Sequence, residues 1–169
     1  RYNPFVLMPD DGSELGTELH KIGCNTFSLP LYPLKPKHII KNFKNILRIR
    51  SLIISNQIAI IHPDCERDSI ICGFAKSGTT CREVWHVRLT RPVKSDKTSA
   101  RLADKIICIS DACKFRFPGF EDKCATIFNG VDCNKFVPLD SKDEIRNKLN
   151  IPKDKFVISF VGQYKRGKG

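Results

Sequence analysis

Long apolar runs are missing from this sequence. None approaches the run of about 20 residues that a membrane-spanning helix needs, so nothing in the 169 residues reads as a transmembrane helix. Eight cysteines are present, yet no CxxC occurs and no Cys/His pair has zinc-finger spacing, which argues against a zinc ribbon or a dithiol redox motif. The cysteines read instead as small buried thiols of a reducing cytoplasm. No Gly-x-Gly-x-x-Gly follows the first strand-like segment, which removes the usual fingerprint of nicotinamide binding. Acidic residues are scarce: 18 Asp and Glu against 29 Lys and Arg give a net charge of +11. The cations form no dense tract and no RNP-like aromatic pair accompanies them, so a specific nucleic-acid partner is not expected. Internal repeats and low-complexity segments are absent as well. The chain opens at Arg1 without the order of regions of a signal peptide, and we expect a piece of a longer protein, cut at both ends.

What remains is an ordinary globular composition, 41% hydrophobic and 28% charged, sized for one domain and part of a second. Strand-like apolar runs alternate with helical patterns from end to end. "PFVLMP" predicts a strand. "SELGTELHKIG" predicts a helix with Ser13 as N-cap and Gly23 as stop. A strand at "NTFSLPL" leads through a proline-punctuated loop to a long amphipathic helix over 38–56 with a basic exposed face. Strands are predicted at "IAIIHPD", "REVWHVRL", "KIICIS", "CATIFNGVD" and "KFVISFVG". Helices are predicted at "RDSIICGFAKSG", "SDKTSARLAD", "DACKFRF" and "SKDEIRNKLN".

The strands are continuous apolar runs, the pattern of a parallel sheet covered by helices on both faces. The fold class is therefore α/β, a Rossmann-like doubly wound parallel sheet. Ligands of such sheets sit beyond the carboxyl ends of the strands. That rule brings His62, His86, Ser110, Asn129 and Gly162 toward one edge. Of the two histidines, His86 is the candidate for chemistry and His62, with Pro63 ending its strand, reads as structural. Asn129-Gly130 suits a strand end facing a cleft better than a hairpin turn. The best domain boundary falls in the connector "CNKFVPLD".

An ordered series of segments now adds to this. "VWHVR" is followed by "ADKIICISDACKFRF", "IFNGVDCNKFVP" and "RNKLNIPKDKFVISFVGQYKRGKG". In order and spacing these stretches resemble the GT-B glycosyltransferases of family 4, the group 1 glycosyl transferases. The matching positions are His86, Ala103-Asp104, Ser110, the Asn-Gly-Val-Asp of 129–132, Phe136, Pro138, and the loop from Gly162 to Lys168-Gly169. The resemblance covers most of the chain and is most specific over 103–169.

The resemblance implies two Rossmann-like domains facing each other across a cleft. Residues 1–138 would be most of the acceptor-side N-terminal domain, lacking its first strand. Residues 139–169 would be the linker helix, first strand and loop of the nucleotide-sugar-binding domain. A sugar would pass from a nucleotide-sugar donor to a glycan or lipid-linked acceptor with retention of anomeric configuration, without cofactor or metal. His86 would be the catalytic-cleft residue. Gly162, Gln163 and Lys168 would meet the donor phosphates, and Ser110, Asn129 and Gly130 would line the cleft. Gln163 stands where the family carries an Arg, so it donates hydrogen bonds without charge. The family's Glu-x7-Glu motif and its first Gly-rich loop are not among these residues, so the resemblance implies that 1–169 alone does not turn over. A cytoplasmic enzyme is implied, touching an anionic membrane surface through its basic helix. The alternative is a non-catalytic basic Rossmann-like domain that binds anionic lipid or nucleic acid.

Overall fold

The computed structural model describes residues 3–9, 12–138 and 141–162. The chain divides into two compact units, Arg1–Asn129 and Gly130–Gly169.

The first unit opens with β1 (Phe5–Met8), α1 (Glu14–Lys21) and β2 (Asn25–Ser28). The Ser13 hydroxyl accepts the Gly16 N–H at 3.2 Å, capping α1 as its position predicts. Gly23 ends the turn with φ +72°, a conformation open to glycine at little steric cost. β1 and β2 pair in parallel, Phe5 opposite Asn25 and Met8 opposite Ser28.

A second sheet follows, built from β3 (Ile60–Ile61), β4 (Arg82–Val87), β5 (Lys105–Cys108) and β6 (Cys124–Thr126) in that spatial order, every pair parallel. Between the strands run α2 (Ile39–Ser55), α3 (Glu66–Lys76), α4 (Asp96–Leu102) and the short α5 (Asp111–Lys114). This is a mixed α/β, Rossmann-like arrangement. β3 is shorter than the apolar run 58–64 suggests. The Ile58 N–H turns back to the Ile53 carbonyl at 2.9 Å and Pro63 has no N–H to give, so the ladder is confined to the middle of the run.

Burial is uneven across the second sheet. On β4, Glu83, Trp85 and Val87 are buried, while Val84 and His86 are only partly so; on β5, Ile106 and Cys108 are buried and Ile107 is not. The packed face joins Trp85, Val87, Ile106 and Cys108 to Ala100, Ala103, Cys113 and Phe117 in one core. The Trp85 and Phe117 rings meet edge to face with centroids 5.2 Å apart. The strand pattern predicts two covered faces; among the described residues this sheet buries one of them fully.

A second core joins α2 and α3 to both sheets through Leu29, Ile49, Ile53, Ile71, Ala75 and Cys81. Two asparagines in α2 are buried because each donates to a carbonyl of the proline loop, Asn45 to Pro30 at 2.7 Å and Asn42 to Pro33 at 3.2 Å. The opposite side of α2 is open: Ile39, Ile40, Phe43, Leu47 and Ile54 are all at least half exposed. All eight cysteines are free thiols. Cys24, Cys81, Cys108 and Cys113 are buried as expected, whereas Cys133 is exposed.

In the second unit α6 (Lys142–Lys148) is capped by the Ser141 hydroxyl, which accepts the Glu144 N–H at 3.2 Å. The strand predicted at "KFVISFVG" does not form. Phe156 is 90%, Ile158 87% and Val161 97% exposed. A parallel strand exists only through a neighbour's ladder, and the described part of this unit contains no strand to pair with it.

Candidate active site

Strand ends position the histidines. The His86 N–H donates to the Pro63 carbonyl at 2.9 Å, carrying the β3–β4 pairing past the last ladder residues. His62 leaves β3 just as His86 nears the end of β4, and the two rings meet. His62 Nε2 lies 3.2 Å from His86 Nδ1, with ring centroids 5.2 Å apart and planes at 64°. His86 Nε2 is shielded from solvent and has no hydrogen-bond partner among the described residues.

Both imidazoles sit below their ordinary acidity range. Burial is the main cause for each; the Arg88 guanidinium lowers both further, His62 lowers His86, and the Asp64 carboxylate partly opposes this. The pair is therefore neutral at neutral pH, suited to hydrogen bonding rather than to carrying charge. Arg88 and Asp64 face each other at 3.7 Å across the same edge, both largely exposed.

Beside them lies a cavity of about 280 Å³ lined by Asp64, Cys65, Glu66, Trp85, Val87, Arg88, Leu89 and Arg116. Its floor is held by Arg116, whose side chain is 1% exposed. The guanidinium donates to both carboxylate oxygens of Asp96 (3.0 and 2.5 Å), to Glu66 at 2.7 Å and to the Leu89 carbonyl at 2.7 Å. One cation thus ties the starts of α3 and α4 to the exit of β4. Asp64, Cys65 and Asp68 place ligand atoms within 4.8 Å of one another. They make a poor metal set, because Arg67 holds both Asp68 oxygens (2.6 and 3.0 Å) and burial above all pushes the Cys65 thiol up to about 11.

The remaining sequence candidates separate. Ser110 is the extended residue before α5, but its hydroxyl makes no cap bond and lies 3.4 Å from Cys113 Sγ. Asn129 follows β6 on the same edge, and no hydrogen bond among the described residues joins it or Ser110 to the histidines. Among the described residues β6 pairs only with β5, in parallel, so Asn129-Gly130 turns no hairpin there. Gly130 belongs to the second unit, where an added Cβ would meet nothing within 4 Å. At Gly162 an added Cβ would come within 3.1 Å of the Phe160 ring. Gln163 and Lys168 lie outside the described residues. Asp104, part of the Ala-Asp pair, serves the opposite end of the sheet. It accepts from Lys76 (2.6 Å), the Glu83 N–H (2.8 Å) and Arg82 (2.9 Å). Burial pushes its carboxyl up, yet these donors hold it at about 2. His62 is the residue that strand-end reasoning placed but did not enlist; its partner lies 24 positions away, and only the parallel register of β3 and β4 reveals the contact.

A parallel sheet with helices between its strands makes this a Rossmann-like α/β protein, and the solved structures it resembles are glycosyltransferases. No protein-family model matches the chain. It is 26% identical over 150 residues to the UDP-Gal:alpha-D-GlcNAc-diphosphoundecaprenol alpha-1,3-galactosyltransferase of Escherichia coli, a match covering 74% of this chain and 37% of that protein. Among solved structures it superposes on a glycosyltransferase from Rickettsia africae with a TM-score of 0.69 at 18% identity, over 90% of this chain and 42% of the other. It also superposes on Anabaena Alr3699/HepE, crystallised with UDP-glucose, with a TM-score of 0.59 at 17% identity, over 86% of this chain and 42% of that one. The chain spans about two fifths of the length of the proteins it matches.

Proposed function

We propose that this chain is the acceptor-side portion of a retaining family 4 glycosyltransferase that moves a hexose from a nucleotide-sugar to a glycan or lipid-linked acceptor. The observation that carries the proposal is His86: a neutral imidazole at the carboxyl end of a parallel strand, braced by His62, with Nε2 unpartnered among the described residues. A neutral N–H or N there meets a donor-sugar hydroxyl or phosphate oxygen as the sugar–phosphate bond breaks. Residues 1–138 form the acceptor domain and 139–169 open the donor domain, where Gly162, Gln163 and Lys168 begin the phosphate site. Ser110, Asn129 and Gly130 line the cleft. No cofactor or metal takes part.

The partner surface belongs to the same proposal. α2 offers an exposed apolar ridge beside Lys41, Lys44 and Arg48, and between Glu18 and Asp64 the sequence holds no acidic residue. Such a face suits an anionic membrane surface on which a lipid-linked acceptor is presented. Among the described residues no helix is long and apolar enough to cross a membrane.

The direct test is transfer by the full-length protein from UDP-hexoses to lipid-linked acceptors, with the product anomer read by NMR. His86→Ala is expected to lower kcat about a hundredfold, the scale of one lost transition-state hydrogen bond, while leaving the thermal transition in place. An inverted product, or full activity in the variant, overturns the proposal.

A further inference from the structure

We infer that His62 is a positioning residue that fixes His86 as the Nε2–H tautomer, so that His86 presents a hydrogen-bond donor, and not a base, at the carboxyl end of β4. This deepens the proposed transfer reaction and rests on it for what that donor meets.

The geometry leaves two ways to place one proton between His62 Nε2 and His86 Nδ1, which lie 3.2 Å apart. In the first, His62 donates: both rings carry hydrogen on Nε2. In the second, His86 donates: both rings carry hydrogen on Nδ1, and His86 Nε2 is a bare acceptor. A neutral histidine side chain in water favours the Nε2–H form, so the first arrangement leaves both rings in their preferred state and the second forces both out of it. The bond made by one ring nitrogen thereby sets what the other can do.

The surroundings agree. Arg88 and Asp64 are the charged groups that act on both rings, and among the described residues no carboxylate is hydrogen-bonded to either ring to hold an Nδ1–H. His86 Nε2 is the atom left without a partner. An N–H kept from water and unmatched within the described chain is suited to a ligand oxygen. On a leaving diphosphate that oxygen gains negative charge as the sugar–phosphate bond lengthens, and a donor fixed in advance stabilises it without reorganising. No proton need be transferred by either histidine.

The test is made on the full-length protein by assigning the imidazole nitrogens of His62 and His86 from long-range proton–nitrogen NMR correlations, at a pH where both are neutral. Both Nε2 atoms should be of the protonated type and His86 Nδ1 of the bare type. In His62→Phe, the His86 nitrogens should move toward the average of the two tautomers, with kcat falling about tenfold and KM for the nucleotide-sugar little changed. His62→Gln keeps an N–H donor toward Nδ1 and should restore both the wild-type shifts and most of kcat. A wild-type His86 protonated at Nδ1 overturns the inference, as does a His62→Phe variant whose His86 shifts are unchanged. The nitrogen shifts are read without substrate, so a protein lacking transferase activity would refute the proposed function while leaving the tautomer assignment to be decided on its own.

Discussion

Glu83 is a buried side chain whose ionisation bears directly on stability. It is fully buried on β4. Ser69 Oγ donates to its Oε1 at 2.6 Å, and Oε2 has no partner among the described residues. Burial raises its carboxyl to about 7, against an ordinary value of 4.5, despite the Ser69 bond and the attraction of Lys76 and Lys123; Asp104 adds to the rise. A carboxyl raised on folding adds stability that is complete below about pH 4.5 and lost as pH climbs through about 7. At about 1.4 kcal/mol per tenfold in acidity, the loss is on the order of 3 kcal/mol. Glu83→Gln keeps the acceptor for Ser69 and removes the charge. It should unfold at higher urea than the wild type at pH 8 and match it near pH 5; equal pH dependence in both proteins would rule this account out. None of this could be read in "REVWHVRL", where a Glu next to an Arg suggests an exposed position. The place of His86 was legible because a strand's end is a fixed place in an α/β sheet. Its partner was not, since hydrogen bonds between strands depend on register. Arg116 was hidden for the same reason: its ligands Glu66 and Asp96 are distant in sequence and converge only when α3 and α4 are packed.

Helix α2 shows how far periodicity carries and where it stops. At about 100° per residue, the buried residues Asn42, Asn45, Ile49 and Ile53 occupy one side of the helix. Ile39, Ile40, Phe43, Leu47 and Ile54 form a second, exposed side, and Lys41, Lys44 and Arg48 a third. The apolar spacing predicted an amphipathic helix with a basic face, and its limits were nearly right. It could not separate the apolar residues that are core from those that are not, because two asparagines take core positions by bonding the proline loop. Apolar ridge and cations together should drive binding to vesicles rich in anionic phospholipid. Phe43→Glu with Leu47→Glu should weaken that binding about tenfold without unfolding the protein, as both positions are exposed, and added salt should weaken the wild type as well. Equal partition onto neutral vesicles, or no loss in the double variant, would assign the ridge elsewhere. β3 gives the opposite lesson: the run 58–64 looked like a full strand, and a helix cap at one end and a proline at the other reduced it to two ladder residues.

For the whole molecule, alternation of apolar runs and helices was enough to specify parallel α/β architecture, because each βα step leaves its own local pattern. Pairing partners were not specified by that pattern, and segment 156–161 makes the difference visible. Its sequence is as strand-like as that of β5, yet Phe156, Val157, Ile158, Phe160 and Val161 are exposed. β5 lies between two neighbours, whereas the described part of the second unit offers this segment none. If residues 139–169 open a donor domain, as proposed, the segment is that domain's first strand, and further strands would pair with its edges while helices covered its faces. Burying a side chain of this size contributes about 1.5–3 kcal/mol, so the change from exposed run to central strand is large. Hydrogen exchange should show the amides of 156–161 unprotected in a chain of residues 1–169 and protected in the full-length protein, with β4 and β5 protected in both. Adding UDP should slow exchange in this segment further in the full-length protein alone, because the loop beyond Val161 is where the donor phosphates are proposed to bind. Fast exchange at 156–161 in the full-length protein would refute the assignment of 139–169 to the opening of a donor domain.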